Sequence, residues 1–353
     1  MKRSLPLDGL RAIAVLIVVF SHTSVASFMP GNFGVTIFFF LSGYLITSLL
    51  VTEYERTDRI DFHGFYLRRA IRIIPPMWIA IGLTLFANLI IPYTNNIDIR
   101  YLPADLLFLT NYASFSQWNS RIPIPLWSLD IEEHFYVFFP FLFASVFRRY
   151  GRTGVAWTCA ILCLAVLAAR FVHSGGPNSF EYIYHATHTR IDGILFGCIL
   201  AVANNPMDSR RPAIGDGLLP FGAGLALIAL TFLIQDSIFR ETLRYSFRGI
   251  GLFLVFNYIL RTNGYISQAL SHRALRPIAD WSYFLYLIHI PVLMFIGGLT
   301  GWPGWLTSFV GIGVSCALSA LVRLWVELPL ANWRKRSRSR SRISDQPTPK
   351  GLE

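Results

Sequence analysis

"RAIAVLIVVFSH", residues 11–22, sets ten nearly all apolar residues between an arginine and a histidine. In an α-helix each residue turns about 100°, so the eleven steps from Arg11 to His22 close three turns to within roughly 20° and cover roughly 16 Å. The two polar side chains therefore share a face. If this helix spans a bilayer, it places Arg11 at a membrane surface and His22 near mid-depth.

The rest of the chain agrees with that reading. Hydrophobic residues make up 54% of the 353 and charged residues 14%, with a mean hydropathy of +0.48. Soluble domains carry about a quarter charged residues. The expected fold class is all-α: a polytopic integral membrane protein. Apolar runs near the roughly 20-residue spanning length fall at 10–28, 33–51, 74–92, 131–147, 155–172, 188–204, 217–235, 246–261, 279–298 and 303–326. Ten helices are expected, with both termini cytoplasmic.

Lys and Arg accumulate in cytoplasmic loops, so their distribution tests the count. With the N-terminus inside, 23 of the 31 basic residues fall on the inner side and 4 within helices. The outer side holds only Arg100, Arg121, Arg240 and Arg244. The net charge of +11 is thus mostly an orientation signal. Residues 1–333 form one transmembrane domain, followed by a disordered basic cytoplasmic tail at 334–353. The run "RKRSRSRSR" at 334–342 reads as a solvated juxtamembrane segment facing anionic lipid rather than a nucleic-acid patch. Cys159, Cys163, Cys198 and Cys316 lie inside apolar helices without metal-ligand spacing, so they read as small core residues and no metal is expected. A cleaved leader is the competing reading of the N-terminus, because "KR", an apolar stretch and "VAS" resemble its three regions.

Ionisable groups within spanning helices are costly unless paired or hydrated, and so are functional candidates. Some have plain structural readings. Arg323 and Glu327, four apart on the last helix, are expected to pair, and Asp8 and Asp280 sit where a carboxylate favours the positive end of a helix dipole. His22 is open to two readings, a hydrogen-bonded core residue or a general base for acyl or phosphoryl transfer. "FYLRRAIRIIPPMW", 65–78, crowds Arg68, Arg69 and Arg72 before the third helix. Positive-inside charge explains them, and so does a guanidinium fork for the phosphates of a nucleotide-like cytoplasmic ligand. "PLWSLDIEEHFYVFFP", 125–140, carries Trp127, Ser128, Asp130, Glu132, Glu133, His134 and Tyr136, more ionisable groups than an interfacial anchor needs. Its carboxylates can orient or charge-balance a histidine base.

In order along the chain, "LDGLRAIAVLIVVFSH", "GVTIFFFLSGYLI", "FYLRRAIRIIPPMW", "WSLDIEEHFY", "TRIDGILFG", "WSYFLYLIHIPV" and "VELPL" resemble the signatures of the acyltransferase-3 family of membrane O-acyltransferases, which includes bacterial polysaccharide and lipopolysaccharide O-acetyltransferases. The resemblance runs from residue 7 to about 330. It implies a ten-helix inner-membrane enzyme that takes an acyl group, commonly acetyl, from cytoplasmic acyl-CoA and delivers it to a carbohydrate hydroxyl. Arg11 and His22 fill the family's arginine, ten residues, histidine motif, and Arg69 and Arg72 its paired-arginine motif. Trp127, Ser128, Leu129, Glu132, Phe135 and Tyr136 fill its acidic helix motif. On this resemblance His22, Glu132 and Glu133 are the expected catalytic residues, and Arg11, Arg68, Arg69 and Arg72 hold acetyl-CoA. Trp127, Ser128, Tyr136, Arg190, Asp192 and His289 are expected at the acceptor. Thr36 departs from the pattern, standing where many members carry aspartate after "GV". No hydrolase-like domain follows the last helix, which suggests transfer straight to the acceptor or to a separate glycan-synthesis partner. The alternatives are a transporter or flippase and a non-catalytic scaffold. A transporter is expected to show repeat symmetry or paired broken helices, and neither is evident.

Overall fold

The structure is a computed structural model that describes residues 4–91, 97–115, 119–208, 215 and 217–334. Among them every regular element is helical. The main helices are α1 (Leu5–Ser21), α2 (Gly31–Thr57), α3 (Phe62–Ile90), α4 (Leu126–His173), α5 (Ser179–His185), α6 (Thr187–Arg190), α7 (Asp192–Ala203), α8 (Leu218–Leu233), α9 (Leu243–Arg261), α10 (Leu275–Thr300) and α11 (Gly304–Val322). Each of the ten expected apolar runs has a helical counterpart. Five helical stretches, Gly31–Thr57, Phe62–Ile90, Leu126–His173, Leu275–Thr300 and Gly304–Arg334, are long and apolar enough to cross a membrane. Large apolar side chains such as Trp78, Phe86, Leu89, Phe138, Trp157, Leu164 and Trp325 point outward and exposed, the reverse of a soluble surface and the pattern a lipid solvent allows. The protein is a membrane protein.

Three boundaries differ from expectation, each for a local reason. First, α1 stops at Ser21 rather than near residue 28. The Ser21 hydroxyl donates to the Val18 carbonyl at 2.7 Å and the Thr23 hydroxyl to Phe20 O at 2.7 Å, so side chains occupy carbonyls that another turn would need. His22 is the C-cap. Second, α3 begins twelve residues before the expected 74. Asp61 caps it by accepting from the Gly64 amide at 2.8 Å, a regular N-cap bond, and the helix runs through Pro75 and Pro76. Prolines donate no amide hydrogen bond and commonly mark a helix start, but here they sit inside, and the Tyr283 hydroxyl donates to Ile73 O at 3.0 Å beside them. Arg68, Arg69 and Arg72 therefore lie within the helix, not before it. Third, the 48 residues of α4 contain two of the expected runs. They meet at Gly151, whose φ of 60° and ψ of −158° break the helix, a conformation suited to glycine.

The bundle is built around α1, α2 and α7. α1 packs between α2 and α10, while α7 packs against α2 and α4. Ala12, Ala14 and Val15 of α1 are fully buried. α2 and α7 meet at glycines: a Cβ on Gly43 would lie 1.9 Å from Ile194 O, and one on Gly197 2.1 Å from Phe40 O. Such close approach of small residues is a main source of helix association in lipid, where apolar burial gives little. α8 pairs with α9 and α10 with α11. Arg323 meets Glu327 at 2.8 Å and Asp280 at 3.8 Å, as the four-residue spacing predicts for the first pair. The basic tail, apart from Arg334, lies outside the described residues.

Candidate active site

Two cavities flank the middle of the bundle and share Val35 and Tyr286 as lining. The first, about 300 Å³, opens toward the N-terminal half of α1 and is lined by Arg11, Ser42, Arg69, Arg72, Ser128, Glu132 and Tyr136, among others. The second, about 570 Å³, lies at the C-terminal end of α1 and is lined by His22, Asn32, Trp127, Phe180, Tyr184 and His185, among others. α1 thus carries Arg11 to one cavity and His22 to the other. The start of α4 divides likewise, with Trp127 on the second cavity and the next residue, Ser128, on the first. Between them the Ser128 and Tyr286 hydroxyls hydrogen-bond at 2.5 Å.

In the first cavity the guanidiniums come from two helices. Arg11 pairs with Asp8 one turn away at 3.8 Å. Arg69 lies 5.4 Å over the Tyr136 ring and 5.9 Å over the Phe65 ring, and its Nε is buried without a partner. Glu132 accepts from Ser42 at 2.7 Å and from Tyr136 at 2.6 Å, and stands within Coulombic range of Arg69 and Arg72. The site is a ring of fixed donors around a carboxylate, with capacity left over on the arginines.

The second cavity is organised around two histidines. His22 is exposed to it, whereas His289 on α10 is fully buried. His289 Nδ1 lies 2.7 Å from Tyr286 O and 3.2 Å from Leu285 O. Carbonyls only accept, so Nδ1 carries the hydrogen and His289 Nε2 is an acceptor. His22 Nδ1 lies 2.9 Å from Val18 O and 3.3 Å from that Nε2, which assigns its hydrogen to Nδ1 by the same logic. Nε2 of His22 is left as the basic nitrogen. The cavity's aromatic wall is Trp127, tilted against Tyr184 at 4.7 Å and edge-on to His185 at 4.9 Å.

This arrangement corrects several expectations. Glu132 and Glu133 do not orient His22: Glu132 is held by Ser42 and Tyr136 in the other cavity, Glu133 lines neither cavity and has Oε1 buried without a partner, and the ring is instead set by Val18 and His289. The reason is packing, because the α4 carboxylates fall beyond the Ser128–Tyr286 contact. Arg68 pairs with Glu53 at 3.6 Å and does not line the first cavity. Asp192 is bound to buried Arg170 at 2.7 Å, and Arg190 lies 4.0 Å over the Tyr245 ring; neither lines the second cavity. Thr36, at the position of the family's aspartate, spends its hydroxyl on Asn32 O at 3.0 Å. Sequence reasoning missed Ser42, one of several hydroxyls in the apolar run of α2, and Tyr286, whose position three residues before His289 was the available signal.

Comparisons with known proteins agree with the motif reading. The family model described as an acyltransferase domain matches residues 6–324. A protein of Staphylococcus aureus strain COL bearing the name "putative O-acetyltransferase" is 30% identical over 360 residues, covering 93% of this chain and 58% of that protein. The O-acetyltransferase OatA of Staphylococcus aureus strain NCTC 8325 is 32% identical over 310 residues, covering 83% of this chain and 51% of OatA. The chain thus spans little more than half the length of these relatives. No solved structure matches it.

Proposed function

From its membership of the acyltransferase domain family, to which the chain belongs, we propose that the protein is a multi-pass membrane O-acyltransferase that moves an acyl group, acetyl in the simplest case, from cytoplasmic acyl-CoA to a hydroxyl of a carbohydrate. The observation that carries this reading is the division of α1 between a guanidinium-lined cavity and a histidine-based one. Ten crossings with both termini cytoplasmic put the first cavity on the inner side and the second on the outer. The bacterial inner membrane, with its cytoplasmic acyl-CoA and its surface glycans beyond, is the setting that suits both.

The donor's phosphates bind Arg11, Arg69 and Arg72, where the unpartnered Arg69 Nε offers a ready donor and guanidinium geometry suits phosphate oxygens. The cavity, at about 300 Å³, is near the lower end for ligand sites and takes part of the donor rather than all of it. The thioester arm runs beside α1, along the roughly 16 Å from Arg11 to His22, passing Tyr286. At the far end the acceptor hydroxyl attacks the thioester carbonyl while His22 Nε2 removes its proton. The carbon–sulfur bond then breaks, and the leaving thiolate recovers that proton from the imidazolium. His289 and Val18 O hold the ring in the tautomer this requires, and Glu132 holds the charge balance of the donor cavity. Trp127 and Tyr184 offer flat apolar faces to a sugar.

Mass spectrometry of cell-surface glycans with and without the chain tests this reading. One added acyl group on a glycan hydroxyl, present only with the protein, is expected. Identical glycan masses in the two strains would overturn it.

A further inference from the structure

Behind the outer cavity lies a second group of arginines, none of which lines it. Arg170, Arg190, Arg244 and Arg248 are each at most 4% exposed, an unusual concentration of buried cations in an apolar bundle. Among the described residues they have one carboxylate partner, Asp192 on Arg170 at 2.7 Å. The nearby Glu241 is spent on the Gly175 amide and the Ser179 hydroxyl. Nε and one terminal nitrogen of Arg190, and Nε of Arg244, are buried without any partner.

Arg170 also donates to Thr189 O and Ser246 Oγ, Arg248 to Thr231 Oγ1 and Arg244 to the Tyr245 hydroxyl, but the support these cations share is aromatic. The Tyr245 ring has Arg190 at 4.0 Å, Arg244 at 5.0 Å and Arg170 at 5.4 Å from its centroid. Cation–π contacts offset part of the cost of burial but use none of the N–H donors. Three of the arginines reach the wall of the outer cavity. Arg190 lies 5.5 Å over the Tyr184 ring, Arg244 5.5 Å over the Phe180 ring, and Arg248 donates to Asn32 Oδ1 at 3.3 Å. Tyr184, Phe180 and Asn32 all line the cavity that holds His22. One layer of side chains separates that cavity from donors with nothing to bind. Tyr184 and Phe180 are carried by the seven-residue α5 and are only half-buried, so rotating their side chains opens the layer.

We propose that the acceptor is anionic: an oxyanion on it is drawn into the outer cavity and bound by Arg190 and Arg244, which sets a neighbouring hydroxyl at His22. The inference rests on the outer cavity being the acceptor site. Excess positive charge behind a low-dielectric wall attracts such a ligand, and planar guanidinium donors suit a carboxylate or phosphate. Two sources share this chemistry, a sugar carboxylate and the phosphate of a polyprenyl carrier.

The test uses the full chain in phosphatidylcholine nanodiscs, which add no anionic lipid. Binding is measured for three probes, trigalacturonate, its carboxyl-reduced neutral trisaccharide and a short-chain polyprenyl monophosphate, with CoA binding measured on the same samples. At least one anionic probe is expected to bind about tenfold or more tighter than the neutral sugar, and which one binds identifies the source. Arg190→Gln and Arg244→Gln should abolish that advantage, Arg244→Lys should keep part of it, and CoA affinity should stay unchanged in all three. Equal binding of charged and neutral probes, or no anionic binding, overturns the proposal. The wild-type comparison decides this even where an arginine variant does not fold. Normal CoA binding alongside that failure leaves the donor site standing, whereas absent CoA binding in the wild type strikes the transferase reading itself.

Discussion

The Arg11 cavity and the His22 cavity differ in how their polar groups are committed. In the first Glu132 is fixed by two hydroxyls and Arg11 leans on Asp8, so the cavity is charged and pre-ordered. In the second His22 has Nδ1 committed to Val18 O and His289, and among the described residues no such contact holds its Nε2. Binding a polyanion requires fixed charge, while deprotonating a hydroxyl requires a neutral base in a defined tautomer. On the proposed reading these demands fall to separate cavities, with the Ser128–Tyr286 contact between them. Substitutions on the two sides should therefore separate affinity from turnover.

The largest separation is expected at His22. A positioned base contributes about a hundredfold to ten-thousandfold, so His22→Gln should lose transfer by that factor while CoA affinity, measured by calorimetry, stays put. Loss of both together would erase the distinction between the cavities. On the inner side, Arg69→Lys and Arg72→Lys keep the charge but lose the fork. CoA affinity should drop about tenfold, as expected for charge-assisted bonds, and should weaken with rising salt in wild type and variants alike because the charge is kept. Transfer at saturating donor should be nearly normal. A smaller effect is expected for His289→Gln, which leaves Val18 O to hold the ring, so turnover should fall several-fold with no change in CoA affinity. The smallest is Tyr286→Phe. One neutral hydrogen bond is worth about 1 kcal/mol, and a change in turnover of no more than about fivefold, with both cavities still binding, marks Tyr286 as a partition rather than a catalyst.

The helices were legible because a bilayer writes them in composition: each apolar run has a helical counterpart, two of them within α4. The sites were less so, because Ser128 and Tyr136, expected at the acceptor, and Glu132, expected at His22, line the cavity of Arg11, Arg69 and Arg72 instead. What was not legible depends on contacts across the bundle. Nothing local to Glu132 says that Ser42, ninety residues earlier, claims its oxygen, so its assignment to His22 rested on residue chemistry and the resemblance rather than on a contact. His289 was found by its motif, but its place beside His22 follows from α10 packing on α1, a separation of 267 residues. The start of α3 was missed because Pro75 and Pro76 look like a helix beginning, while the weaker cap at Asp61 was the true one. Of the buried arginines, Arg170, Arg190 and Arg248 were visible as charges in apolar runs, whereas Arg244 was assigned to an outer loop. Their mutual clustering on Tyr245 was not visible.

The central claim is that one helix joins a donor site open to the cytoplasm to a base open to the opposite side. Single cysteines at positions 22 and 72 of an otherwise cysteine-free chain test it most directly, by labelling with a membrane-impermeant maleimide in intact spheroplasts and in inverted vesicles. The account predicts modification of position 22 only in spheroplasts and of position 72 only in inverted vesicles. Modification of both from the same side would contradict it.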